Sequence, residues 1–145
     1  RECAIEIVEK HNGKIPKGKS DLVMLPGIGP YTAAAIRAFA FNESDVLIET
    51  NIRSALIYHF FPDTATVSDR ELQSYIEKAL QGQKPRKWYA ALMDYGAYIK
   101  KTHSNPSRRS KHHVKQTEFD GSTRQVRGAI IRRLLRGSIS QKNIF

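Results

Sequence analysis

The stretch Leu25-Pro26-Gly27-Ile28-Gly29-Pro30-Tyr31-Thr32-Ala33 lies between two segments that read as helices. Two glycines flank one apolar residue. Glycine turns the backbone tightly and lets an anion approach the main-chain amides. Pro30 suits the first turn of a helix, where its missing N–H is not needed. The helix that follows offers free N–H groups and the positive end of its dipole. The segment therefore reads as a helix, a tight turn and a second helix, with Gly27 and Gly29 forming a phosphate cradle indifferent to base identity. Ile28 tucks inward and holds the turn. The bare G-x-G spacing leaves open a plain helix corner built from proline and glycine.

Working outward, helical signals dominate. A helix over 1–12 stops near Gly13, a natural residue for the position after a helix. A polar loop over 14–19 follows, and Ser20 and Asp21 can cap a short helix over 22–25. The alanine-rich helix over 30–41 lets another backbone come close. Val46-Leu47-Ile48 is extended and too short to build a sheet. Thr50 or Asn51 can cap a helix over 52–60, ended by Pro62. Ser68-Asp69-Arg70-Glu71 reads as a capping box that opens a helix to Leu80. The longest helix spans 85–101, with an apolar stripe of Trp88, Leu92, Tyr95 and Ile99. A basic loop covers 102–120, and a basic segment over 121–145 carries a last helix over about 123–136. Its residues 124–136, followed by Ser138-Ile-Ser-Gln, resemble the first helix of a winged-helix extension. The fold class is all-α.

Composition narrows the function. The 145 residues are 40% hydrophobic and 26% charged, as in a soluble globular domain. No apolar run approaches the roughly 18 residues of a membrane span. The single cysteine, Cys3, excludes an intrachain disulfide, a thiolate zinc site and a four-cysteine iron–sulfur cluster. The simplest location is the cytoplasm, at the nucleoid. The net charge of +10 is uneven: residues 1–99 hold 12 basic and 12 acidic groups, residues 100–145 hold 12 and 2. Such asymmetry points to a polyanion, nucleic acid first and an anionic membrane surface second.

The hairpin resembles that of the helix-hairpin-helix DNA glycosylases, the superfamily of endonuclease III and the A/G-specific adenine glycosylases of MutY type. The likeness extends to His11-Asn12-Gly13-Lys14-Ile15-Pro16, the approach to the hairpin. It extends further to Leu47-Ile48-Glu49-Thr50-Asn51-Ile52-Arg53, which resembles the catalytic segment. Ala91-Leu92-Met93-Asp94-Tyr95-Gly96-Ala97 resembles the helix before the family's cluster loop. The likeness covers most of residues 1–113. The nearest likeness is to the adenine glycosylases; Tyr31 stands where the strand-nicking members carry a lysine, which fits the monofunctional members without separating adenine from thymine or uracil specificity.

Three departures qualify the resemblance. The family's catalytic aspartate is here Glu49, one methylene longer. A carboxylate there would stabilise positive charge on the sugar, or would serve the dipole of the helix it precedes. The cluster cysteines are absent, and basic residues fill their region, so a clusterless variant is implied. The upstream half of the helical barrel, with its second carboxylate, is missing, so the fold is an incomplete glycosylase-like domain (1–101 as its core) and the piece alone is expected to be inactive.

What the resemblance implies is a base-excision N-glycosylase acting on duplex DNA, removing adenine opposite oxidised guanine or guanine after flipping it out of the stack. A thymine/uracil mismatch glycosylase and a non-catalytic DNA-binding module are the alternatives. The implied catalytic residues are Glu49 and Tyr31. The implied DNA contacts are Leu25, Gly27, Ile28, Gly29, Tyr31, Thr32, Asn51 and Arg53, and, in the replaced cluster loop, Arg108, Arg109 and Lys111. No metal cofactor is expected beyond a monovalent cation at the hairpin, and the protein is expected to be a monomer. His112-His113 does not make a metal site, because adjacent side chains do not converge.

Overall fold

The computed structural model describes residues 1–115 and 117–137. They form two compact units, residues 1–113 and 114–145, the second described only through residue 137. In the first unit the helices are α1 (Glu2–His11), α2 (Lys19–Met24), α3 (Pro30–Ile36), α4 (Thr50–Phe60), α5 (Asp69–Ala79) and α6 (Pro85–Thr102). The second unit carries α7 (Thr123–Leu134). The expected Ser138-Ile-Ser-Gln continuation lies outside the described residues.

Two apolar clusters build the first unit. The larger joins Ala34, Ala38, Leu47, Ile52, Leu56, Ile57, Val67, Leu72, Ile76, Leu80 and Tyr89. The smaller joins Leu22, Leu25 and Ala33, with Cys3, Ile7, Ile28 and Ile36 packed against it. Helix α3 belongs to both, because Ala33 faces one cluster and Ala34 the other. Its alanines leave room for a neighbour on each side. After Ile36 the helix widens into a π turn, Arg37–Phe41, ended by Asn42 in the left-handed conformation.

Residues 43–49, between the π turn and α4, carry no regular secondary structure. A polar net ties them down. The Asp45 carboxylate meets Lys19 Nζ at 2.6 Å and Arg37 Nε at 3.1 Å. The Tyr89 hydroxyl donates to the Asp45 carbonyl (2.7 Å) and accepts from Leu47 N–H (3.0 Å). Desolvation by burial pushes the Tyr89 phenol up to about 12, with the backbone bond to Leu47 opposing. The hairpin is thereby fastened to the larger core.

Several expectations are corrected here. The cap of α4 is Glu49, not Thr50 or Asn51. On α6 the buried positions are Pro85, Tyr89, Gly96 and Ile99; Trp88 and Leu92 are half-buried, and Tyr95 is exposed. The stripe is rotated because Gly96 must face α4. Residues 102–113 are not a free loop but part of the first compact unit. They contain a 3-10 helix, Pro106–Arg109, started by Asn105, whose Oδ1 accepts from Ser107 N–H. Val67 N–H donates to Arg109 O and Lys111 N–H to Val67 O, both at 2.8 Å. The capping box of α5 is present with both arms.

Candidate active site

The hairpin turn is tight for a local reason. Ile28 N–H donates to Leu25 O at 3.0 Å, and Gly27 takes a φ of +79°, a left-handed value that a side chain would strain. Ala33 N–H is the first amide of α3 to find a partner, on Gly29 O at 2.9 Å. Among the described residues, the amides of Gly27, Gly29, Tyr31 and Thr32 donate to nothing. Gly27 and Gly29 are exposed, and Tyr31 beside them is 52% exposed. The turn therefore presents several unpaired N–H donors at the start of α3, as an oxyanion requires. Leu25 is different. It is 3% exposed and packs with Leu22 and Ala33, so it shapes the hairpin from within rather than contacting a ligand. The Ile28 side chain is half-buried against the same cluster.

The second component is the N-terminus of α4. Glu49 Oε1 accepts from Asn51 N–H (2.7 Å) and Ile52 N–H (3.0 Å). The carboxylate is held by the first turn of the helix it caps, in a half-buried position. Its second oxygen accepts no hydrogen bond from a described residue. Both sequence readings of Glu49 thus meet in one geometry: the capping bonds fix one oxygen and leave the other.

Arg53, one turn beyond Glu49 on α4, is paired with Asp69. Its Nε and Nη2 donate to both Asp69 oxygens, at 2.8 and 2.7 Å. The guanidinium is held above its ordinary value first by this hydrogen bonding, against desolvation, and then by the charges of Asp69 and Glu49. Arg53 is committed to Asp69, so any phosphate contact would use what that bidentate pair leaves.

Sequence reasoning missed four participants. Asp69 is the partner of Arg53. Lys100 Nζ donates to Asn51 Oδ1 at 3.1 Å. Gly96 lies against the Asn51 carbonyl. Ser54 Oγ donates to the Thr50 carbonyl at 2.8 Å, inside the turn that Glu49 opens. Only Asp69 carried a local signal, as the residue after the Ser68 cap.

The replaced cluster region is built differently from expectation. The Arg109 guanidinium donates to the carbonyls of Phe61, Pro62 (2.9 Å), Thr64 (2.9 Å) and Ile57 (3.4 Å). It closes the C-terminal end of α4 and is spent on the fold, which removes it from the set of free cations. Arg108 and Lys111 are exposed. The donor set does not fit a cluster: residues 100–113 contain no cysteine, and Asn105, Ser107 and Ser110 side chains there hydrogen-bond within the protein. Among the described residues no three His, Cys, Asp or Glu side chains gather to hold a metal ion, and no helix is long and apolar enough to cross a membrane.

The comparisons with known proteins agree on the hairpin. A family model described as the helix-hairpin-helix motif matches residues 10–39. The adenine DNA glycosylase of Mycobacterium tuberculosis strain H37Rv is 42% identical over 101 residues, covering 68% of this chain and 33% of that protein. The chain belongs to the helix-hairpin-helix DNA glycosylase superfamily. Within that superfamily, the adenine DNA glycosylase of Mycolicibacterium smegmatis is 33% identical over 100 residues (68% of this chain, 34% of that protein). The thymine/uracil-DNA glycosylase of Methanothermobacter thermautotrophicus is 26% identical over 101 residues (68% and 46%). The chain spans about a third of the length of the two adenine glycosylases and under half of the thymine/uracil enzyme. No solved structure matches it.

Proposed function

We propose that this chain is the hairpin-bearing part of a base-excision DNA glycosylase that hydrolyses the N-glycosidic bond of adenine opposite oxidised guanine or guanine. The observation that carries the reading is the set of unpaired amides at Gly27, Gly29, Tyr31 and Thr32, together with a Glu49 carboxylate held on the first turn of α4 by one oxygen with the other left free. The amides would donate to the oxygens of a backbone phosphate. That grip would place an extruded nucleotide near the free oxygen of Glu49. Departure of the base leaves the sugar electron-poor, and a fixed carboxylate stabilises that charge or orients the attacking water. Tyr31, exposed at the start of α3, would line the same nucleotide. Arg108 and Lys111 would add phosphate contacts.

The carbonyls of Gly27 and Ile28 accept no backbone hydrogen bond among the described residues. They are the groups that would hold a monovalent cation at the hairpin, whose charge would favour the bound phosphate. The protein would act as a monomer on duplex DNA.

Adenine is preferred because proteins named adenine DNA glycosylases reach 42% identity with this chain. A thymine/uracil specificity is the second reading, supported by the similarity to a protein of that name. Single-turnover cleavage of duplexes carrying A opposite 8-oxoguanine, A opposite G, G·T or G·U separates the two. Glu49→Gln is the control in each. Cleavage lost with DNA binding kept supports the enzyme. Unchanged cleavage removes Glu49 from the chemistry. Binding without cleavage on any of the four duplexes leaves a DNA-binding module.

A further inference from the structure

The geometry points to Lys100 as a positioning residue that fixes which end of the Asn51 carboxamide is offered to the substrate. This rests on the glycosylase reading above. Asn51 is held from three directions. Its N–H donates to Glu49 Oε1 at 2.7 Å, its carbonyl lies against Gly96, and its side-chain Oδ1 accepts from Lys100 Nζ at 3.1 Å. Lys100 and Gly96 are one helical turn apart on α6, so one face of α6 grips both the backbone and the side chain of the residue two places after Glu49.

The chemistry of the lysine sets the direction. An ammonium has three donors and no acceptor. It therefore selects the Oδ1 end of the carboxamide and excludes the flipped rotamer, in which an NH2 group would face an NH3 group. The Nδ2 end is the one left over, and no described residue accepts from it. Asn51, two residues after Glu49 and bonded to its other oxygen through the backbone N–H, thus presents a hydrogen-bond donor at the start of α4. Such a donor suits an oxygen of the bound nucleotide, phosphate or sugar, and it does not suit a second donor. Lys100 is half-buried and acts through Asn51 without touching the substrate.

The test uses single-turnover cleavage and duplex affinity for four variants. Lys100→Met frees the carboxamide and is expected to slow cleavage about tenfold or more, the loss expected of one charge-assisted hydrogen bond, with Kd within about twofold. Lys100→Arg keeps donor-only character and is expected to restore the rate. Lys101→Met removes the same charge from an exposed neighbour and is expected to change neither quantity. Glu49→Gln is expected to abolish cleavage. If Glu49→Gln is dead and Lys100→Met cleaves like the parent, the inference fails and the glycosylase reading stands. If Lys100→Met and Lys101→Met lose affinity and rate alike, the role is general attraction to DNA and the inference also fails. Should Glu49→Gln cleave normally, or the chain not cleave at all, the side-chain NH2 signal of Asn51 in 15N NMR decides. Displacement in Lys100→Met with recovery in Lys100→Arg supports the fixed carboxamide, and an unmoved signal overturns it.

Discussion

Gly96 on α6 stands against Asn51 on α4 so closely that a Cβ built on it would lie 1.9 Å from the Asn51 carbonyl oxygen. The obstacle is backbone, which cannot rotate out of the way. Gly96→Ala must therefore push α6 off the first turn of α4, the turn that holds Glu49. Overpacking of this kind costs about 1–3 kcal/mol. Urea unfolding should register that loss, and amide exchange at Asn51 and Ile52 should rise with it. An Ala variant as stable as the parent would mean that the two helices stand farther apart than this spacing.

Arg109 takes a structural part in the region that replaces the family's cluster loop. One guanidinium serves carbonyls of Ile57, Phe61, Pro62 and Thr64, drawing the segment after α6 onto the end of α4. Arg109→Met should leave those carbonyls short of a donor, at about 1.5–3 kcal/mol for hydrogen bonds to a charged group. Arg109→Lys should recover little, because a point ammonium cannot span four acceptors as a planar fork does. Guanidinium chloride or urea midpoints of the two variants check both statements, and chelators should leave the parent's midpoint unmoved.

The hairpin, the helices α1 to α7 and the Ser68 capping box are legible in the sequence because each is written in neighbouring residues: glycine and proline punctuation, apolar period, a cap three residues from its partner. The bonds that assemble the site are not. Lys100 reaches Asn51 across 49 positions, and Arg109 reaches Ile57 across 52. Such pairs have no period and no spacing rule, and they exist only once α4 and α6 have crossed. The sequence leaves Glu49 as either a catalyst or a charge for the helix dipole. Local sequence cannot tell that the capping bonds use one oxygen and spare the other. Leu25 borders the glycines and so reads as a ligand contact, yet the pitch of α2 turns it into the smaller core.

Two titrations report on the fold from opposite ends of the pH scale. The Ser68 hydroxyl and backbone N–H hold the Glu71 carboxyl below its ordinary value of 4.5. A depressed folded-state value gives stability that is present above the unfolded value and lost as pH falls through the folded one. The thermal midpoint of the parent should therefore exceed that of Glu71→Gln at neutral pH, and the gap should close on acidification below about pH 4. Tyr89 runs the other way. Its phenol is raised to about 12, so the stabilisation is intact below the unfolded value near 10 and disappears as pH climbs toward 12. Tyr89→Phe leaves the buried Leu47 N–H without its acceptor, at about 1–3 kcal/mol. Absorbance at 295 nm should show one tyrosine titrating later than the rest, and that late step should vanish in the Phe variant.

DNA affinity should divide into a gripping part and an attracting part. Gly27→Ala strains a backbone with φ of +79° and displaces the hairpin amides, so it should weaken duplex binding at every salt concentration. Arg132, Arg133 and Arg136 at the end of α7 are exposed and carry charge without shaping the hairpin. Their joint replacement by glutamine should flatten the plot of log affinity against log salt, by about 0.9 for each phosphate they would otherwise neutralise. Fluorescence anisotropy between 50 and 200 mM salt separates the two effects. A slope indifferent to the three arginines would take α7 out of the binding surface.

Glu49 offers the sharpest separation of structure from proposed chemistry, because one oxygen caps α4 and the other has no partner among the described residues. In Glu49→Gln the carboxamide oxygen can still accept from Asn51 and Ile52 N–H, so stability should fall only by the lost charge–dipole attraction, about 0.3–1 kcal/mol. In Glu49→Ala both amides lose their acceptor, and about 1 kcal/mol should go with the cap. Glycosidic cleavage should be abolished in both, since neither keeps a negative oxygen to meet the sugar cation. Glu49→Asp keeps the charge and caps at least as well, yet withdraws the carboxylate by one methylene. Stability equal to the parent with a reduced cleavage rate would show that the longer side chain is fitted to this backbone. A rate equal to the parent would mean that the first turn of α4 shifts to bring the shorter acid into place. Urea midpoints and single-turnover rates measured on the same three proteins are sufficient to distinguish these outcomes. Parent-like cleavage by Glu49→Gln would reduce Glu49 to a helix cap.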